Sequence, residues 1–199
     1  MQNAYESEEW SKMGYLHPGQ EQAARRLAEL EQQYRTVKEG GFLNVCCGDG
    51  QGMEWFHSYA NQRYGVDKSF DLLEKARKKQ PRLQWIQADV TGHLPFENEW
   101  AAAVLCECCL SMFGESKQFV LGEIKRILKK DGLLLVADLE WEEGIQLESF
   151  SLLHEEQHPE WVKEFAARWL WENGTLPSCC SGTGRGKGLP GYFLAVYRR

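Results

Sequence analysis

The sequence predicts an α/β fold built on a doubly wound, mostly parallel sheet with helices on both faces. Three observations predict it. Between residues 20 and 139, short apolar runs alternate with segments of helical period. The runs are nearly continuously apolar, as strands covered on both faces are. One of them, Phe42-Leu43-Asn44-Val45-Cys46, breaks into alternating glycines at Gly48, Gly50 and Gly52, and an acid, Asp67, closes the next run about 20 residues on. Right-handed crossovers between parallel strands then wind the sheet both ways.

Taken in order, residues 1–18 are polar with interspersed aromatics (Tyr5, Trp10, Tyr15) and His17. They read as a frayed terminus or as a flap over a ligand site. His17-Pro18-Gly19 stops any helix there. Residues 20–39 are an amphipathic helix with Ala23, Leu27, Leu30, Tyr34 and Val37 on one face, ended by Gly40-Gly41. Strand 42–46 leads to a short helix over 51–60. Strand 63–67 leads to helix 70–79, with Ser69 as N-cap. Pro81 punctuates before strand 83–88, and a loop with Gly92 and Pro95 precedes strand 101–106. Ser116 to Lys130 is a helix with Phe119, Val120, Ile124, Ile127 and Leu128 inward, and Asp131-Gly132 turns into strand Leu133 to Ala137. Further on, Phe150 to His154 reads as a strand, 159–171 has helical period, 176–190 is a glycine-rich loop and Tyr192 to Tyr197 is a last strand. No linker or repeat interrupts the chain, so 1–199 reads as one domain. Its parts are a leading helix over 20–39, a ligand-binding core over 42–139 and a trimmed acceptor side with the last strand over 140–199.

Composition narrows the function. The chain has 199 residues, 43% hydrophobic and 26% charged, with a net charge of −6. This is an ordinary globular composition, and the acidic balance argues against a large nucleic-acid footprint. No apolar run approaches the ~20 residues of a membrane span, and the start lacks a signal-peptide core. The seven cysteines are odd in number and fall in vicinal clusters. Reduced thiols in a cytoplasmic protein are therefore expected rather than a disulfide framework.

The glycine turn lets the backbone bend sharply and approach a ligand closely. Followed by a helix, it would also present free N–H groups to a polar part of that ligand. Asp67, in Gly65-Val66-Asp67-Lys68, stands where a ribose hydroxyl is gripped. Asp89, in Ala88-Asp89-Val90, ends the third strand; its carboxylate can accept from an exocyclic amine while the Val90 N–H donates to a ring nitrogen. Together these describe an adenosine site.

With these residues in view, the chain resembles the class I S-adenosylmethionine-dependent methyltransferases. Leu43 to Gly50 resembles the family's first motif. Gly65-Val66-Asp67 resembles its ribose motif. Ala88-Asp89-Val90 with Leu94-Pro95-Phe96 resembles its adenine motif and trailing loop. Glu123 to Gly132 resembles the helix and turn before the fifth strand. The resemblance implies a Rossmann-like sheet with an antiparallel C-terminal strand, S-adenosyl-L-methionine as cofactor and a small-molecule methyl acceptor. It implies cofactor contacts from Cys46, Cys47, Gly48, Gly50, Asp67, Lys68, Asp89, Val90 and Cys106. His17-Pro18-Gly19 and Glu107-Cys108-Cys109-Leu110-Ser111 resemble a small bacterial subgroup of the family. Two departures stand out: Asn44 where the family usually has an acid, and Cys46 where the first glycine is usual.

In-line methyl transfer asks the protein to align groups and exclude water, and asks for a base only if the acceptor carries a proton. Glu107 and His17 are the catalytic candidates for that role, with His93 also near. Cys108 and Cys109 are candidates of another kind. With Cys46, Cys47 and Cys106 they read as small buried apolar groups, or as thiols for a soft acceptor. The spacing matches no zinc pattern, and no metal ligand is assigned. A catalytically weak cofactor-binding module, or a metal- or metalloid-binding module on the same fold, is the alternative. Gly182 to Gly188 resembles a phosphate loop only superficially: no Ser or Thr follows Lys187, and no strand–loop–helix frame surrounds it.

Overall fold

A computed structural model describes residues 20–59, 62–139, 147, 149–158, 160–161 and 192–199. The predicted flap over 1–18, the His17-Pro18-Gly19 stop, the loop over 176–190, Cys179 and Cys180 lie outside the described residues, as does the predicted helix over 159–171 except for residues 160–161. The described elements are α1 (Gln20–Tyr34), β1 (Gly41–Val45), β2 (Arg63–Asp67), α2 (Phe70–Lys79), β3 (Gln84–Gln87), β4 (Ala101–Glu107), α3 (Lys117–Ile127), β5 (Leu128–Leu139), β6 (Ser151–His158) and β7 (Tyr192–Arg198).

The strands form a seven-stranded sheet in the order β3-β2-β1-β4-β5-β7-β6. β1 pairs in parallel with β2 on one side and β4 on the other, so the order reverses between β1 and β4. β7 runs antiparallel to β5 and to β6. The expected mostly parallel sheet with an antiparallel C-terminal strand is therefore observed.

Alternation along the strands supplies two cores. On one face Phe42, Leu105 and Leu135 pack under Leu27 and Leu30 of α1 and Leu73 and Ala76 of α2. On the other, Leu43, Val104 and Leu134 pack under Val120, Ile124 and Ile127 of α3. Full burial of each such side chain contributes about 1.5–3 kcal/mol, and this two-sided burial is what makes the strands read as unbroken apolar runs.

Several expectations need correction. The segment 51–60 is not an α-helix: two 3-10 turns, Gln51–Trp55 and His57–Tyr59, replace it. Phe56 between them leaves helical geometry, and its ring stacks on Phe42 at 4.3 Å. So no helix dipole stands behind the glycine turn. α1 stops at Tyr34 rather than 39, where the Arg198 guanidinium donates to the Tyr34 carbonyl at 3.2 Å. Phe119 is 51% exposed rather than inward. The buried stripe of α3 instead includes Glu123, which no count of apolar residues would place inside. β5 follows α3 directly from Leu128, with Asp131 in the left-handed region at φ 63°.

Candidate functional site

The site is built at the carboxyl ends of β1, β2 and β3. After Val45 the chain turns left-handed at Cys46 (φ 55°), Gly48 (φ 54°) and Gly50 (φ 80°). Gly48 and Gly50 hold this conformation without the Cβ penalty that Cys46 bears. The Gly48 N–H donates to Asp67 Oδ2 at 2.9 Å, and the Ser69 N–H donates to Oδ1 at 2.8 Å. One carboxylate thus ties the turn after β1 to the tip of β2. Each oxygen keeps a lone pair for a further donor. A Cβ on Gly48 would meet nothing within 4 Å, so this stretch of backbone faces open space.

The turn rests on Trp85 of β3, which sequence reasoning missed. Its indole lies where side chains on both Gly50 and Gly65 would begin, and its Nε1 donates to the Gln80 carbonyl at 3.2 Å. The Gln80 amide in turn donates to the Gly50 carbonyl at 2.8 Å. Gly50 therefore serves packing as much as ligand approach. The only sequence signal was a tryptophan inside a short strand next to a glycine strand.

At the tip of β3, Asp89 Oδ1 accepts from the Thr91 N–H at 2.9 Å and the Thr91 hydroxyl at 2.7 Å. These bonds hold its carboxyl below the usual carboxylate range. The loop that follows is clamped by α3. Glu123 Oε2 accepts from the Leu94 N–H at 3.0 Å, and Arg126 donates to the carbonyls of Leu94 and Phe96 at 3.1 and 2.7 Å. Arg126 holds the Glu123 carboxyl down to about 2.

These tips surround a cavity of about 330 Å³, and of the residues named from the sequence Cys46, Asp67, Lys68, Asp89 and Val90 line it. Ala88, Thr91, Met112, Phe113 and Ser116 also line it and were not anticipated. Met112 and Phe113 follow the Glu107-Cys108-Cys109 segment in an apolar stretch without helical period, a signal that was present but unused. Cys106 is fully buried below Cys109 and does not line the cavity.

The thiols split between the two faces of the sheet. Cys46, Cys106 and Cys109 share the α3 face, where Cys109 hydrogen-bonds both others. Cys46 thus packs towards Cys109 at the cavity floor. Cys47 and Cys108 belong to the opposite face, and Cys108 Sγ lies 3.0 Å from the Tyr192 hydroxyl. Burial pushes the Cys47 thiol well up; hydrogen bonding with Cys109, then burial, does the same for Cys46, and hydrogen bonding with Cys106, then burial, for Cys109. They are protonated thiols, not nucleophiles. Among the described residues no group of three or more His, Cys, Asp or Glu is arranged to hold a metal ion. Among them no helix is long and apolar enough to cross a membrane.

Of the catalytic candidates, His17 lies outside the described residues. His93 is exposed and stands 3.2 Å from Glu123 rather than at the cavity. Glu107 ends β4 on the α1 face, and burial pushes its carboxyl up to about 8.

A model described as a methyltransferase domain matches residues 43–136. The malonyl-[acyl-carrier protein] O-methyltransferase of Hamiltonella defensa is 28% identical over 123 residues, covering 60% of this chain and 47% of that protein. The 2-phytyl-1,4-naphtoquinone methyltransferase of Nostoc punctiforme is 28% identical over 137 residues, covering 63% and 58%. The chain spans about half the length of the curated relatives it matches. Among solved structures, the MccD protein superposes with a TM-score of 0.65 at 18% identity, over 87% of this chain and 96% of the other. That likeness is one of fold.

Proposed function

We propose, from the match of residues 43–136 to a methyltransferase domain on the sheet order described, that the chain is a class I S-adenosylmethionine-dependent methyltransferase and transfers a methyl group to a small-molecule acceptor. The observation that carries this reading is the convergence of three loops on one cavity. Gly48 is bonded to Asp67, and Asp67, Asp89 and Val90 line a common space of about 330 Å³. The residues fit the cofactor: the Gly48 backbone is open, Asp67 retains acceptor capacity on both oxygens, and Asp89 is kept ionised.

In this reading Asp67 accepts from the ribose hydroxyls, and Asp89 with the Val90 N–H takes the adenine edge. Lys68 and Cys46 line the cavity, and Cys47, Gly48 and Gly50, which do not line it, belong to the turn beside Cys46 that faces the methionine part in this reading. Cys106 supports that turn from below through Cys109. When bound, S-adenosylmethionine supplies an electrophilic methyl on a sulfonium, so the protein needs no nucleophile of its own. Its residues orient the two partners and keep water out. The relatives act on unlike acceptors by their names, so only the class of acceptor, a small molecule, is proposed here.

Calorimetric titration with S-adenosylmethionine and S-adenosylhomocysteine tests the reading. Saturable one-to-one binding, lost in Asp89→Ala, is the expected result. Absence of binding to the intact chain would overturn it.

A further inference from the structure

The last turn of α2 carries Arg77, Lys78 and Lys79. Basic residues there suit the negative end of a helix dipole. Lys79 has a further use. Its Nζ meets Asp49 Oδ2 in the middle of the glycine turn, 30 residues away along the chain. Beside it, the Gln80 amide donates to the Gly50 carbonyl at 2.8 Å, and the Gln80 carbonyl accepts from Trp85 Nε1 at 3.2 Å. Arg77 donates to the Trp85 carbonyl at 3.1 Å. One end of α2 thus grips Asp49, Gly50 and the tryptophan on which Gly50 rests. The other end grips the same turn, because the N–H groups of Ser69, its N-cap, and of Gly48 both donate to the Asp67 carboxylate.

Asp49 depends on that grip. Its side chain is 10% exposed, whereas that of Lys79 is 51% exposed. A carboxylate so far out of water keeps its charge at low cost only beside a cation or several donors. Gly48 and Gly50, on either side of it, are both left-handed and lack a Cβ, so the backbone around Asp49 resists rotation weakly. The ion pair supplies the restraint that the glycines do not.

We propose that Lys79, with Gln80 beside it, is a positioning residue for cofactor binding: it acts through Asp49 to hold the glycine turn in its receiving shape before the cofactor arrives. The proposal rests on the cofactor reading above and adds to it a residue that does not line the cavity. A turn ordered in the free protein need not be ordered at the expense of binding, so the restraint is read as affinity. Without Lys79 the Asp49 carboxylate swings towards water and draws Gly48 away from Asp67 Oδ2.

Two ligands separate this effect from a general loosening of α2. In the cofactor reading S-adenosylhomocysteine spans the adenosine position and the turn, whereas adenosine reaches only the former. Calorimetry of Lys79→Met, at a temperature where its far-UV circular dichroism matches the parent's, should find the Kd for S-adenosylhomocysteine raised about 5- to 20-fold and that for adenosine raised less than about 3-fold. Adding Asp49→Asn to Lys79→Met should cost no further affinity, because it removes the charge that the lysine holds. An unaltered Kd for S-adenosylhomocysteine in Lys79→Met, equal losses for the two ligands, or losses of the two single variants that multiply in the double variant would overturn the proposal and leave the cofactor reading standing. Failure of the intact chain to bind S-adenosylhomocysteine would overturn the two together.

Discussion

Trp85 occupies the volume that a side chain on Gly50 would need: a Cβ there would lie 2.3 Å from the indole. The glycine turn is therefore seated on an aromatic plate that also fills the space beside Gly65. Gly50→Ala meets two penalties, overpacking of about 1–3 kcal/mol and left-handed backbone strain of about 1–2 kcal/mol. Urea denaturation should show a loss of about 2–5 kcal/mol. Gly48→Ala, with open space at its Cβ, should lose only the strain part. Equal losses in the two variants would contradict the packing role given to Trp85.

Asp67 is the joint between the glycine turn and the tip of β2. Asp67→Asn keeps its size but sets an amide N–H against the N–H of Gly48 or of Ser69, which now donate to Oδ2 and Oδ1. Loss of a charge-assisted bond costs about 1.5–3 kcal/mol. The Kd for S-adenosylhomocysteine should therefore rise about 10- to 100-fold, read by calorimetry, with the far-UV circular dichroism unchanged. An unaltered Kd would remove Asp67 from the site.

How much of this was legible beforehand follows from where each signal lives. Strands β2 and β4 and helix α2 declare themselves by local chemistry: an apolar run, an N-cap at Ser69, a punctuating proline. Asp67 and Asp89 could be placed because a strand tip in this fold faces the ligand. The 3-10 turns after Gly50 were not legible, because the stacking of Phe56 on Phe42 is a long-range contact that local helical preference does not see. The same holds for Glu123 on the buried face of α3. Its burial depends on Arg126 and on the loop 94–98, and a hydrophobic count placed Phe119 inward instead. Trp85 and Glu107 were invisible as partners of Gly50 and Gly52 because each meets its glycine across the sheet, not along the chain.

The Glu123–Arg126 clamp predicts that the loop holding Leu94 and Phe96 is acid-sensitive. Arg126, first by hydrogen bonding and then by charge, holds the Glu123 carboxyl near 2, below its unfolded value of about 4.3. A depressed carboxylate stabilises the fold above the unfolded value, and that contribution fades as the pH falls from about 4.3 towards 2. It amounts to about 2–3 kcal/mol at neutral pH. Glu123→Gln should melt lower than the parent at pH 7, and the two curves should converge as the pH falls below about 4. A gap that persists at acid pH would show the contribution to be packing alone.

Glu107 predicts the opposite pH dependence. Burial raises its folded value to about 8, so the folded chain holds a proton that the unfolded chain releases above about 4.3. The group is harmless below the unfolded value, and its cost grows as the pH rises from there through about 8. Glu107→Gln removes the titration while keeping the shape. The variant should lie within about 1 kcal/mol of the parent in urea denaturation near pH 5 and exceed it by on the order of 5 kcal/mol at pH 8.5. No gain at alkaline pH would mean that the carboxyl sits in water or beside a cation in the folded protein.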